Sequence, residues 1–215
     1  MIRTAGSLVL LLSFLLFFSG AENLRAETWR FAADQVSSTQ GDQRNRTILD
    51  GNARVESDSM EIEALHIELG GEDFSLISGT GGILLNDKDE GITVEARRFE
   101  YDRKAKIIRF REQVTLVDEN EGIVIRCESL DLFEEEDLVV MQVSVRLIKE
   151  ETVCRGEFAT FRRDENILEI SGRPVVWRED DEYRAQRITV NLDTDEIVME
   201  GAVEGALTTQ DTEDE

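Results

Sequence analysis

Gly91-Ile-Thr-Val-Glu-Ala-Arg-Arg-Phe-Glu-Tyr-Asp102 alternates apolar and polar residues, but not in a single phase. Ile92, Val94 and Ala96 fall on one face of a strand. Phe99 and Tyr101 also alternate, yet they stand three and five residues beyond Ala96, so the phase slips by one. A strand that keeps both halves on the core side across such a slip must bend or carry a bulge. A small residue at the slip leaves room for a bent backbone or a close neighbour.

The same arrangement recurs on either side. Ala33, Ala64, Ala96, Cys127, Gly156 and Ala185 form a column of small residues about thirty residues apart. Ile67/Leu69, Leu130/Leu132 and Ile188/Val190 follow it as Phe99/Tyr101 does, and Ala159/Phe161 follows less well. A second column of similar period runs through Val55, Ile83, Val114, Val145, Val175 and Val203. Gly51, Gly79, Gly172 and Gly201 stand a few residues before it, with Glu112 and Val143 near that place in the other two copies.

Between the columns, acid-rich clusters mark turns. They include Gly70–Asp73, Asn86–Gly91, Asp102–Lys104, Asp118–Gly122, Glu134–Asp137, Lys149–Glu151, Arg162–Asn166, Glu179–Glu182 and Asp193–Glu196. No long segment has apolar residues at helical spacing. Short alternating strands between evenly spaced turns predict an all-β protein. Two columns with matched spacing predict antiparallel repeats of about thirty residues, stacked into a solenoid or elongated roll. The strands bend along a common line and present two apolar inner walls.

Composition narrows the function. The 215 residues carry 47 acidic and 24 basic side chains, a net charge of −23. Phosphate backbones require a basic surface, so no nucleic-acid partner is expected. One His and two Cys leave almost no material for a metal centre or His-based catalysis, and no cofactor is expected. His66 lies between Leu65 and Ile67 on a strand with no nucleophile motif nearby, and reads as a structural or surface residue. Asp87–Gly91 lacks the Gly and Glu spacing of an EF-hand loop. Gly79-Thr-Gly-Gly82 is too short for a phosphate loop and opens a strand, not a helix. Catalytic carboxylate pairs cannot be singled out among so many acids.

Residues 1–26 read as a secretory signal. Arg3 begins it, and Leu8–Phe18 is an apolar run of eleven residues. A membrane span needs roughly 20, so cleavage after Ala21 or Ala26 is expected rather than a permanent anchor. Export places residues 27–207 in an oxidising compartment, followed by an acidic, disordered tail at 208–215. Cys127 and Cys154 are diagonal neighbours by repeat alignment, which leaves a disulfide and two buried thiols both open.

Asp50-Gly-Asn-Ala-Arg-Val55, Gly91–Asp102 and Tyr183-Arg-Ala-Gln-Arg-Ile-Thr-Val-Asn-Leu-Asp193 resemble the repeats of the LptA/OstA family of lipopolysaccharide-transport proteins. The resemblance runs from about Trp29 to Leu207, and repetition rather than any one motif carries it. It implies an open β-jellyroll in the periplasm, stacked head to tail with copies of itself and with LptC-like and LptD-like proteins. It also implies a non-enzymatic carrier of lipopolysaccharide or a related glycolipid. The short apolar run fits LptA better than the membrane-anchored LptC, which is the alternative within the pathway. A structural β-solenoid without lipid and a polysaccharide-acting β-roll enzyme are alternatives outside it. Inward residues expected to meet acyl chains are Ile62, Ile67, Leu69, Val94, Phe99, Tyr101, Val114, Leu116, Ile123, Ile125, Leu130 and Leu132. The end segments near Trp29–Val36 and Ala202–Leu207 are expected to supply the stacking edges.

Overall fold

The computed structural model describes residues 28–206 apart from 40–44, 90, 121, 179–180, 193 and 195. The expected signal and acidic tail lie outside the described residues. Apart from one 3-10 turn at Glu72–Phe74, the regular elements described are strands.

Eight of the strands are long: β3 (Arg46–Glu56), β4 (Met60–Gly70), β5 (Leu76–Asp87), β6 (Ile92–Asp102), β7 (Ile107–Asp118), β8 (Ile123–Phe133), β9 (Leu138–Lys149) and β10 (Thr152–Arg162). Each pairs antiparallel with the next in chain order. At the ends, long strands are broken in two. β1 (Arg30–Ala32) and β2 (Gln35–Thr39) lie along β3. β11 (Ile167–Ser171) and β12 (Val175–Arg178) lie along β10. β13 (Asp181–Arg184) and β14 (Arg187–Asn191) follow, then β15 (Glu196–Glu200) and β16 (Glu204–Ala206). The result is one continuous antiparallel meander whose edges, β1/β2 and β15/β16, do not meet. It is an open, all-β jellyroll.

Every strand bends at the same line, and the bend has one construction. Asp50 pairs with His66 and Ala53 with Ala64, so Gly51 and Asn52 face Leu65 alone. Gly81-Gly82, Glu112-Gln113 and Val143-Ser144 repeat this two-against-one bulge. All eight residues have positive φ, as do Gly172-Arg173 and Gly201-Ala202 where the later strands break. The extra residue turns each strand sharply and raises its twist. Carboxylates opposite the bulge take up freed N–H groups: the Gln113 amide donates to Glu128 at 3.2 Å and the Ser144 amide to Glu157 at 3.4 Å.

The expected phase slip is therefore real, with its cause on the neighbouring strand. Ala64, Ala96, Cys127 and Gly156 sit beside the first residue after a bulge, namely Ala53, Ile83, Val114 and Val145. Three column positions need correction. The second corner is at Gly81, not Gly79, because Gly79 is a regular strand residue paired with Ile67 and Phe99. Val55 lies one rung beyond the corner, paired with Ile62. Val175 is displaced by one, since Pro174 takes the buried place after Gly172-Arg173. The Glu179–Glu182 turn is also shorter than expected, with Asp181 and Glu182 inside β13.

Candidate functional site

The bend folds the sheet over its own inner face, and that face is apolar along the whole molecule. Because the register is direct, inner side chains of successive strands stand side by side. On the wall beyond the bulges, one stripe runs Val55, Ile62, Leu85, Val94, Leu116, Ile125, Leu147, Cys154, Val176 and Tyr183. On the wall before the bulges, the stripe nearest the corner runs Leu49, Ile67, Gly79, Phe99, Phe110, Leu130, Met141, Ala159, Ile170, Ile188 and Met199. The next stripe outward runs Leu69, Ile77, Tyr101, Ile108, Leu132, Val139, Phe161, Leu168, Val190 and Ile197, with Thr47 at its start. The corner stripe crosses eleven strands, which at about 4.8 Å apart make it roughly 50 Å long.

Burial falls from the corner toward the rims. Leu49, Ile67, Phe99, Leu130 and Ile188 are sealed. Leu69, Ile123, Ile125, Leu132, Phe161, Val190, Ile197 and Met199 are only half-buried against the same core. Phe99 and Phe110 fill the middle, their ring centroids 5.3 Å apart and tilted by 43°. Burying one such ring contributes about 1.5–3 kcal/mol. Toward β10 the inner residues shrink to Gly156 and Ala159, and Ile170 fills the space: a Cβ on Gly156 would stand 2.5 Å from Ile170 Cγ2.

All twelve inward residues named from the sequence lie on these inner walls. Ile62, Ile67, Val94, Phe99, Tyr101, Val114, Leu116 and Leu130 are core, whereas Leu69, Ile123, Ile125 and Leu132 are rim. The sequence list stops at β8, although the same alternation continues through Leu147, Phe161, Leu168, Val176 and Val190. Gly79 went unrecognised as a spacer in the corner stripe. A Cβ there would stand 2.9 Å from Ile83 Cδ1, so the glycine supplies room, not a turn.

Cys127 and Cys154 are both free, buried thiols. They sit on β8 and β10 with β9 between them, at different rungs, so no disulfide joins them. Burial pushes the Cys127 thiol up to about 12 and the Cys154 thiol up to about 11, which keeps both protonated and inert at neutral pH. His66 pairs across strands with Asp50 at 2.5 Å on the exposed face, far from any role in the interior.

Two charged residues at the rim carried no sequence signal beyond their turn clusters. Glu134 and Arg163 are both buried where β8 and β10 end. Burial raises the Glu134 carboxyl above the usual carboxylate range, against Tyr101, Lys106 and Arg163, which favour its charge. Burial likewise lowers Arg163, against the nearby Asp137.

No family model and no curated protein matches this chain. Solved structures that resemble it include LptH of Pseudomonas aeruginosa, described as the LptA-homologous periplasmic component of the conserved lipopolysaccharide transport device. That alignment has 13% identity and a TM-score of 0.30, and covers 68% of this chain and 83% of the other.

Proposed function

We propose that this chain is a non-enzymatic periplasmic carrier that holds the acyl chains of lipopolysaccharide, or a related glycolipid, on its way between the two membranes. The supporting observation is the set of unbroken apolar stripes leading from one open edge to the other, sealed at the corner and half-open at the rim. The likeness of the repeats to the LptA/OstA family supports the same reading.

Forces favour it. Each buried methylene contributes about 0.8 kcal/mol, so a fourteen-carbon chain gains on the order of 10 kcal/mol. An acidic protein repels an anionic headgroup, but exposed charge pairs amount to roughly 0–1 kcal/mol each and are screened beyond about 8 Å. The acyl contribution wins. Acyl chains lie against Leu69, Ile125, Leu132 and Phe161, and sugars face water. At the ends, the unpaired β1/β2 and β15/β16 edges expose Phe31, Val36, Val198 and Val203. Those edges accept strands from like-folded neighbours, including LptC-like and LptD-like proteins and further copies of the chain.

A second reading, a structural β-solenoid without lipid, draws on the close burial of the corner stripes. A photo-crosslinking residue placed at Ile125 or Leu132 in cells separates the two. The carrier captures glycolipid at both rim positions and none at the neighbouring Asp131. Absence of capture at both rim positions overturns the carrier.

A further inference from the structure

On the outer face of the wall beyond the bulges, the register sets three arginines side by side. Arg126 on β8 pairs with Arg146 on β9, and Arg146 with Arg155 on β10. Each adjoins an inward residue, Ile125, Leu147 or Cys154, so each points outward, and all three are exposed. Like charges directly opposite one another destabilise a sheet. Elsewhere in the same row the chain supplies its own counter-charges. Arg54 meets Glu56 and Glu61, both at 2.8 Å, and Arg184 meets Glu182. Arg126, Arg146 and Arg155 have no such ion pair among the described residues. Thr115 and Val175 flank them in the row, and Val124, Ile148 and Val153 lie beside them away from the corner. Toward the corner stand Ser144, Glu128 and Glu157, and both carboxylates there accept bulge amides.

An anionic bilayer or a nucleic acid does not fit this row, because a net charge of −23 repels both. An acidic segment of the chain itself does. The row runs from Arg155 through Val175 and Arg184 to Glu204 on β16, and Ala206, the last residue of β16, is level with Val153. Residues 207–215 follow, outside the described residues, with Asp211, Glu213 and Glu215 at period two. In an extended segment such residues share one side. Strands about 4.8 Å apart place Arg155, Arg146 and Arg126 about 16, about 20 and about 25 Å from Ala206. An extended chain reaches about 17 Å by Asp211, about 23 Å by Glu213 and about 30 Å by Glu215. We propose that Arg126, Arg146 and Arg155 seat the chain's own acidic tail, with Asp211 against Arg155, Glu213 against Arg146 and Glu215 against Arg126. Exposed ion pairs are individually weak, and the tether offsets this by holding the acids at roughly millimolar effective concentration. The seat is independent of the acyl-carrier reading. It carries the tail away from the β15/β16 edge and leaves that edge open to a neighbouring strand.

The test follows modification of each arginine by phenylglyoxal, read by mass spectrometry, in the purified full chain at low salt. Arg126, Arg146 and Arg155 react about fivefold more slowly in the wild type than in the triple variant Asp211→Asn, Glu213→Gln, Glu215→Gln. Arg162, exposed on the other wall, reacts equally in both. Asp214→Asn keeps the protection, because Asp214 falls on the opposite side of the extended tail. Salt at about 1 M removes it, since the screening length is then about 3 Å. Equal reactivity in the wild type and the triple variant overturns the seat, as does loss of protection in Asp214→Asn. Protection that rises with protein concentration assigns the row to the tail of a second copy and overturns seating within one chain.

Discussion

The corner at Gly81-Gly82 and the corner at Val143-Ser144 bend the sheet in the same way with opposite chemistry. At the first, φ is 88° and 91°; at the second, 65° and 56°. Glycine adopts these angles without steric cost. A β-branched valine there is a genuine outlier, costing roughly 1–2 kcal/mol. Val143 nevertheless holds the conformation, 48% exposed on the convex side, with the Ser144 amide directed at Glu157. The ladders on both sides of the corner leave that strand no other register. The backbone at a corner is therefore imposed by neighbouring strands, and glycine merely makes it cheaper.

Alkaline pH gives the largest expected effect, and it acts on the corners without glycine. Cys127 stands beside Glu128, which faces both Glu112-Gln113 and Val143-Ser144. Its thiol, raised to about 12, favours folding fully below the unfolded thiol pKa, and that contribution is lost as pH rises through the folded value. Urea midpoints should fall steeply from pH 9 upward, and Cys127→Ala should flatten the slope. Identical slopes would mean that the thiol is not buried as described.

Gly81→Val comes next, with a loss of about 3 kcal/mol in urea unfolding. It combines positive φ with a Cβ 2.7 Å from the Cβ of Leu65. Gly82→Ala, with nothing within 4 Å of its Cβ, loses only about 1 kcal/mol. If the two cost the same, crowding by Leu65 has no part in the corner.

Val143→Gly should gain about 0.5–1 kcal/mol, the relief of strain less the added freedom of the unfolded chain. Glu112→Gly should stay near zero. The same relief is offset there by loss of the Arg98–Glu112 ion pair at 2.6 Å, exposed on both sides. A clear loss in Val143→Gly would break the claim that valine is strained.

Strands, turns and inner faces were legible because alternation is a local property. Ile92/Val94/Ala96 and Phe99/Tyr101 announce which side is apolar, and the acid clusters announce where the chain reverses. Gly79 and Gly81 could not be told apart, because both are glycines just before an apolar pair and a bulge is defined only against a partner strand. Val55 and Val175 fell out of register for the same reason. Glu134 and Arg163 were hidden in turn clusters that look solvated, since burial of a turn residue depends on the turn stacked beside it.

The order of residues alone determined an all-β chain of bent, repeating hairpins with an apolar inner face, because side-chain direction along a strand follows from its period of two. Only the tertiary structure decided where each bend falls, that the two thiols stay apart, and that a carboxylate and a guanidinium from two turns are buried at the rim. Those features arise from pairing between strands, where one residue's place is set by a partner distant in sequence, as Val114 is by Cys127 and Ser129 by Gln142.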